Sequence, residues 1–232
     1  KASLTMTIAQ KFDETVAQYP DGEALVVRHQ QLRYTWRQLA DAVDVHARAL
    51  LALGLQAGDR LGIWAPNCAQ WCITQFATAK LGVILVNINP AYRSSELEYV
   101  LKQSGCHWLV CAGAFKSSNY HGMLQGLLPE LAEQSIGELR SERLPELRGL
   151  ISLDAQPPSG FLPWSQLADL AASVSAEQLR ERSDSLHFDQ PVNIQYTSGT
   201  TGFPKGATLS HYNILNNGYM VGESIGLTPH DR

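Results

Sequence analysis

Glycines, hydroxyls and a lysine are concentrated in one run of this 232-residue chain, Tyr196-Thr197-Ser198-Gly199-Thr200-Thr201-Gly202-Phe203-Pro204-Lys205-Gly206. Gly199 and Gly202 can take a positive φ and let the backbone approach a ligand closely. Successive N–H groups in such a turn form a concavity that suits an anion. Thr197, Ser198, Thr200 and Thr201 add hydroxyl donors, and Lys205 adds a full positive charge. Pro204 stiffens the chain beside that lysine. Together these residue types suit a polyphosphate. The P-loop of the usual NTPases is excluded on spacing. Its second glycine would fall at Pro204, and Lys205 is followed by Gly206 where that pattern needs Ser or Thr.

The elements that must position this run are legible from periodicity. Val192 to Tyr196 alternates with Asn193 and Gln195 and reads as a strand, Ala207 to Leu209 reads as a second, and Ser210 opens a helix at His211. The run is therefore a loop between two strands. Upstream, an apolar stripe at Ile8, Phe12 and Val16 predicts a helix, and Ala24–Val27 and Leu32–Tyr34 predict two strands around a polar turn. Thr35 caps a helix from Trp36 to Leu53 that Gly54 ends. Strand Arg60–Ala65, a helix Cys68–Leu81 capped by Asn67 and closed by Gly82, and strand Val83–Ile88 come next. A helix capped by Ser94 or Ser95 and running to Gln103, then strand His107–Cys111, complete an alternating series. Such alternation implies right-handed crossovers and a parallel sheet covered on both faces. The fold class is α/β.

Residues 114–147 read less regularly, with helical character in Met123–Leu131 and Ile136–Leu144. Leu147–Leu153 predicts a strand, and Pro157-Pro158-Ser159-Gly160 a turn. A Leu167/Leu170/Ala171/Val174 stripe and the charged piece Ala176–Arg182 predict helices, before a surface link at Asp184–Asp189.

The run Tyr196–Gly206 closely resembles the phosphate loop of the adenylate-forming enzymes, which include acyl-CoA synthetases, peptide-synthetase adenylation domains and beetle luciferases. Thr208-Leu209-Ser210-His211-Tyr212-Asn213 is similar to the segment just after that loop in many acyl-CoA synthetases. Leu32–Leu39 and Ala79–Pro90 resemble two blocks nearer the N-terminus of these enzymes, with Gln38 standing where the family usually has Glu. Over Thr7–Asn217 the likeness is greatest to the medium-chain fatty acyl-CoA synthetase branch. The resemblance implies parallel β-sheets flanked by helices, the N-terminal part of the large domain of such an enzyme. Residues 1–189 would form an N-terminal α/β subdomain, and 190–232 the phosphate-loop hairpin and the start of a second subdomain. Further family motifs and a small C-terminal domain are expected beyond Arg232, so the chain by itself is expected to be inactive.

The implied activity is that of an AMP-forming acid–thiol ligase using a fatty acid, ATP and CoA. The implied roles are binding of the ATP β- and γ-phosphates by Thr197, Ser198, Gly199, Thr200, Thr201, Gly202, Phe203, Pro204 and Lys205, with Lys205 as the catalytic residue. A loop threonine, taken as Thr197, would meet Mg2+ through ATP. Two other readings are an aryl- or amino-acid adenylation domain and a non-catalytic nucleotide-binding module.

Composition sets bounds on these readings. A net charge of −4 gives no electrostatic footprint for nucleic acid, and no apolar run approaches the ~20 residues of a membrane span. Cys68, Cys72, Cys106 and Cys111 lack finger-like spacing and read as buried thiols of a reducing compartment, with cytoplasm the expectation. The five tryptophans read as core, Tyr92 and Arg93 as exposed turn residues, and His211 as a packing or surface histidine rather than a general base. No nucleophile elbow is present, so no Ser/His/Asp arrangement can be assembled from spacing.

Overall fold

A computed structural model of the protein describes residues 3–197 and 202–217. The chain opens with α1 (Ile8–Gln18), whose first turn is closed by reciprocal bonds: Thr7 Oγ1 accepts the Gln10 N–H at 3.1 Å and Gln10 Oε1 accepts the Thr7 N–H at 2.8 Å. A hairpin of β1 (Glu23–Val27) and β2 (Leu32–Thr35) leads into α2 (Trp36–Ala52), which starts with the same device, Thr35 paired with Gln38. Gln38 thus does the work that Glu would do, because a capping box needs only an acceptor at its third helical position.

Next come β3 (Arg60–Trp64), α3 (Ala69–Leu81), β4 (Ile84–Asn87), α4 (Ser94–Ser104) and β5 (Trp108–Cys111). A small hairpin, β6 (Ala114–Phe115) and β7 (Ser118–Asn119), precedes α5 (Tyr120–Leu127). Strands β8 (Gly149–Ser152) and β9 (Phe161–Pro163), helices α6 (Leu167–Ala171) and α7 (Ala176–Asp184), then β10 (Pro191–Thr197), β11 (Lys205–Ser210) and α8 (His211–Asn217) complete the series.

Among the described residues, seven strands form one sheet in the order β11-β10-β4-β3-β5-β8-β9. All pair in parallel except β11, which runs antiparallel to β10 at the edge. Alternate residues serve opposite faces. Leu61, Leu85, Val110 and Ile151 join one core with α1, α2, α3 and α6, whereas Val86, Leu109 and Leu150 join another with α4 and α5. Both faces are therefore covered, as a parallel sheet requires. Phe12, Trp36 and Phe76 anchor the first core, with Phe12 and Phe76 ring centroids 4.5 Å apart. Burying each such side chain stabilises by roughly 1.5–3 kcal/mol. Trp36, Trp64, Trp71 and Trp108 are buried, and Trp164 packs partly buried against the first core.

Helix α3 is buried all round, including Thr74, Gln75 and Thr78. Thr74 Oγ1 lies 3.2 Å from His46 Nε2, and Thr78 Oγ1 donates to the Thr74 carbonyl at 2.9 Å. At the far end of α3, the Arg182 guanidinium donates to the carbonyls of Leu81 and Leu55 at 3.1 and 3.2 Å. Leu81 is the last residue of α3, where helical carbonyls lack an intrahelical partner, and Leu55 lies in the loop after α2, so Arg182 ties the two together.

Five local readings differ from the structure. Ser94 and Ser95 do not cap α4 but form its first turn; the N-cap is Arg93, whose N–H is taken by Glu96 Oε1 at 3.0 Å. Asn67 does not cap α3; the N-cap is Cys68 without a side-chain bond, and the Ala69 N–H is taken by Gln30 Oε1 at 2.8 Å, a partner from the turn before β2. Ile136–Leu144 is not helical. Gly137 sits at φ +87°, and the Leu139 and Arg140 N–H groups bond to the Arg148 carbonyl and Gln134 Oε1. Helix α5 starts at Tyr120, three residues before the apolar stripe, because Asn119 Oδ1 accepts the Gly122 N–H. Tyr92 is buried, not an exposed turn residue, whereas Arg93 is exposed and donates to Ser118 Oγ at 2.8 Å.

Candidate functional site

The glycine- and threonine-rich run joins β10 to β11, as its flanking apolar alternation requires. The register pairs Gln195 with Ala207, Tyr196 with Gly206 and Thr197 with Lys205. Since β10 runs parallel to β4, with Gln195 opposite Asn87, the turn lies at the carboxyl edge of the sheet. Open α/β sheets bind ligands beyond that edge.

Ser198, Gly199, Thr200 and Thr201 lie outside the described residues, as does the Thr197 side chain. The structure places Gly202, Phe203, Pro204 and Lys205 together on the return limb. Gly202 has φ +88°, with nothing within 4 Å of where a Cβ would stand. Glycine is therefore required there for conformation and not for space. Pro204 is buried while its neighbours Phe203 and Lys205 are exposed, so the ring pins the chain and turns the lysine outward. Lys205 makes no ion pair with any described residue. An ammonium with no such partner, beside a left-handed glycine at a strand's carboxyl end, fits the phosphates of a nucleotide.

Beyond the turn, Ser210 caps α8: its Oγ accepts the Asn213 N–H at 3.1 Å, and Asn213 Oδ1 accepts the Ser210 N–H at 3.0 Å. His211 is fully buried, its Nδ1 accepts the Ile8 N–H at 3.1 Å, and burial lowers its pKa to about 4. Its ring nitrogen is occupied in tying α8 to the start of α1, as a packing histidine. Asn216 adds to that tie by bonding both the N–H and the carbonyl of Leu4.

Two groupings escaped sequence reasoning. Tyr196 Oη donates to Gln103 Oε1 at 2.6 Å, and Phe203 stacks on Tyr99 with centroids 4.5 Å apart. Both partners sit on α4, and no local signal on that helix names a partner so far along the chain. The second grouping resembles a hydrolytic trio in its residue types. Ser152 Oγ lies 2.8 Å from His121 Nε2, and Asp154 Oδ2 lies 3.9 Å from His121 Nδ1. Ser152 is fully buried and already accepts the Asp154 N–H at 3.1 Å, so the trio ties α5 to β8 and offers no nucleophile to a substrate. Burial lowers the His121 pKa, with the Asp154 charge opposing. The four cysteines are free thiols, and burial pushes Cys72 and Cys106 up to about 12. Among the described residues no group of three or more His, Cys, Asp or Glu side chains stands where it would hold a metal ion.

A family model described as AMP-binding enzyme matches residues 12–232. The chain belongs to the AMP-binding enzyme family. It is 47% identical over 225 residues to a protein named medium-chain acyl-CoA ligase ACSF2, mitochondrial, from Bos taurus, covering 95% of this chain and 36% of that protein. The Danio rerio protein of the same name is 46% identical over 220 residues, with 95% and 36% covered. Among solved structures, an acetoacetyl-CoA synthetase from Streptomyces lividans matches with a TM-score of 0.73 at 27% identity, over 92% of this chain and 31% of that one. The chain thus spans about a third of the length of these curated relatives. Members of the family share the mostly parallel, helix-flanked sheet described above. Among the described residues no helix is long and apolar enough to cross a membrane.

Proposed function

We propose that the full-length protein carrying this chain is an ATP-dependent, AMP-forming acyl-CoA synthetase acting on a fatty acid, with medium-chain acids as the first candidates. The 47% identity that runs across 95% of the chain to a medium-chain acyl-CoA ligase carries this reading. In such a reaction the fatty carboxylate attacks the α-phosphate of ATP, giving an acyl-adenylate and pyrophosphate. The CoA sulfur then displaces AMP to form the thioester.

The share of this chain is the first half-reaction. Thr197, Ser198, Gly199, Thr200, Thr201, Gly202, Phe203, Pro204 and Lys205 would hold the β- and γ-phosphates through backbone N–H groups, hydroxyls and the ammonium. Charge accumulates on the departing pyrophosphate in the transition state, and a fixed Lys205 ammonium stabilises it there more than in bound ATP. Mg2+ would arrive on the ATP phosphates, with the Thr197 hydroxyl as the loop's contact to it. The free thiols support a reducing compartment. Cytoplasm and mitochondrion are the locations to distinguish, the second because of the relatives' names.

Trapping with hydroxylamine tests the reading. Full-length protein, MgATP and a panel of carboxylates should give acyl-hydroxamate most readily from fatty acids. Hydroxamate formed only from aryl or amino acids would replace the substrate class, and none from any acid would leave a non-catalytic nucleotide-binding module.

A further inference from the structure

Helix α4 contacts both limbs of the β10–β11 hairpin. On the outgoing limb Tyr196 Oη donates to Gln103 Oε1 at 2.6 Å. Gln103 Nε2 donates to Tyr99 Oη at 3.3 Å, one helical turn back. The Tyr99 ring in turn stacks on Phe203 of the return limb, the planes 16° apart. Tyr196, Gln103, Tyr99 and Phe203 thus form one continuous path that brackets the turn. Lys205 stands two residues beyond Phe203 and directly across the ladder from Thr197.

Gly206 belongs to the same device. It faces Tyr196 across the ladder, and a Cβ there would stand 3.0 Å from Tyr196 Cζ. Its glycine lets the tyrosine ring lie flat over the partner strand and carry its hydroxyl to α4. The platform itself is held at both ends. Glu96 Oε1 accepts the Arg93 N–H at 3.0 Å at its start, and Arg60 Nη1 donates to the Ser104 carbonyl at 3.1 Å at its close. Leu97, Val100 and Leu101 bury its inner face, which leaves Tyr99 and Gln103 on the outer one. Phe203 remains 54% exposed, so the stack does little for the core. Its consequence is the placement of a strand end.

We propose that Gln103 and Tyr99 are positioning residues for the nucleotide-binding turn, a latch on α4 that fixes the height and direction from which Lys205 meets the phosphates. This rests on the adenylation reading for its functional consequence, but the latch is itself a property of the hairpin. Loosening it lets the ammonium wander, so the loss is expected to fall on ATP.

The test uses the full-length protein and two readouts. Gln103→Leu and Tyr196→Phe should each raise KM for MgATP about fivefold, the typical worth of one hydrogen bond, with KM for the fatty acid unchanged. The double variant should stand no higher than Gln103→Leu alone, because the Tyr196–Gln103 bond is already lost in that variant. Tyr99→Phe, which keeps the stack, should stay nearer wild type than Tyr99→Ala. In parallel, amides of Lys205–Ser210 should exchange with deuterium about fivefold faster in Gln103→Leu, with the amides of α4 unchanged. Unaltered hairpin protection, or ATP and acid KM rising together, would overturn the latch. A wild-type protein silent with every carboxylate would defeat the adenylation reading instead, and the hydrogen-exchange comparison would still confirm or overturn the latch.

Discussion

Acid should weaken this fold through His211, by an amount set by its surroundings. The ring is fully buried, its Nδ1 accepts the Ile8 N–H, and burial lowers its pKa to about 4. An unfolded histidine titrates near ~6.5. The folded value lies below the unfolded one, so the neutral ring contributes stability that is fully present above about pH 6.5. That contribution is lost progressively as the pH falls toward about 4. Linkage between those two values gives a loss of about 2 kcal/mol on going from about pH 8 to about pH 5. His46 is buried against Thr74 and Trp164 with its pKa lowered to about 3, and adds a loss of similar size over the same interval. Against a total of roughly 5–15 kcal/mol, the two together are a large fraction. Urea denaturation at the two pH values measures it. His211→Asn keeps an acceptor for the Ile8 N–H and removes the titration, so its loss on acidification should be smaller than that of wild type by about 2 kcal/mol. An equal loss in wild type and variant, or an NMR midpoint for His211 near the unfolded value, would refute the reasoning.

Three further outcomes are expected. Gly149→Ala places a Cβ 2.5 Å from the buried Trp108 ring, where the paired strands β8 and β5 begin, and should cost about 1–3 kcal/mol in chemical denaturation. Arg182→Met removes two charge-assisted bonds to the Leu55 and Leu81 carbonyls while keeping most of the stem, and should cost about 2 kcal/mol by the same measurement. Gly202→Ala meets no obstacle but is strained at φ +88°, so in the full-length protein it should raise KM for ATP more than Gly202→Asn, whose side chain tolerates left-handed backbone.

Much of the fold is legible in the sequence because local rules and tertiary packing agree. Thr35 and Ser210 cap the helices that their positions announce, and the apolar stripes at Phe12 and Leu39 face the core. The disagreements arise where a distant group satisfies a local need. Gln30 takes the α3 amide in place of Asn67, and the Gln134 side chain and Arg148 carbonyl hold residues 139–140 out of a helix. The short strand β9 gives no periodicity to read, since its identity comes from pairing with β8. The site divides in the same way. Gly202, Lys205 and the two flanking strands are visible because their chemistry is local to the turn. Tyr99 and Gln103 are not, because an outward i, i+4 pair on a helix looks the same whether it meets solvent or a hairpin.

The most direct test of the central claim is carboxylate-dependent ATP–pyrophosphate exchange by the full-length protein and its Lys205→Ala variant. Wild type should catalyse exchange with fatty acids, and Lys205→Ala should lose roughly 100-fold or more, the scale seen when a fixed transition-state donor is removed. Exchange that proceeds undiminished without the Lys205 ammonium would contradict the account.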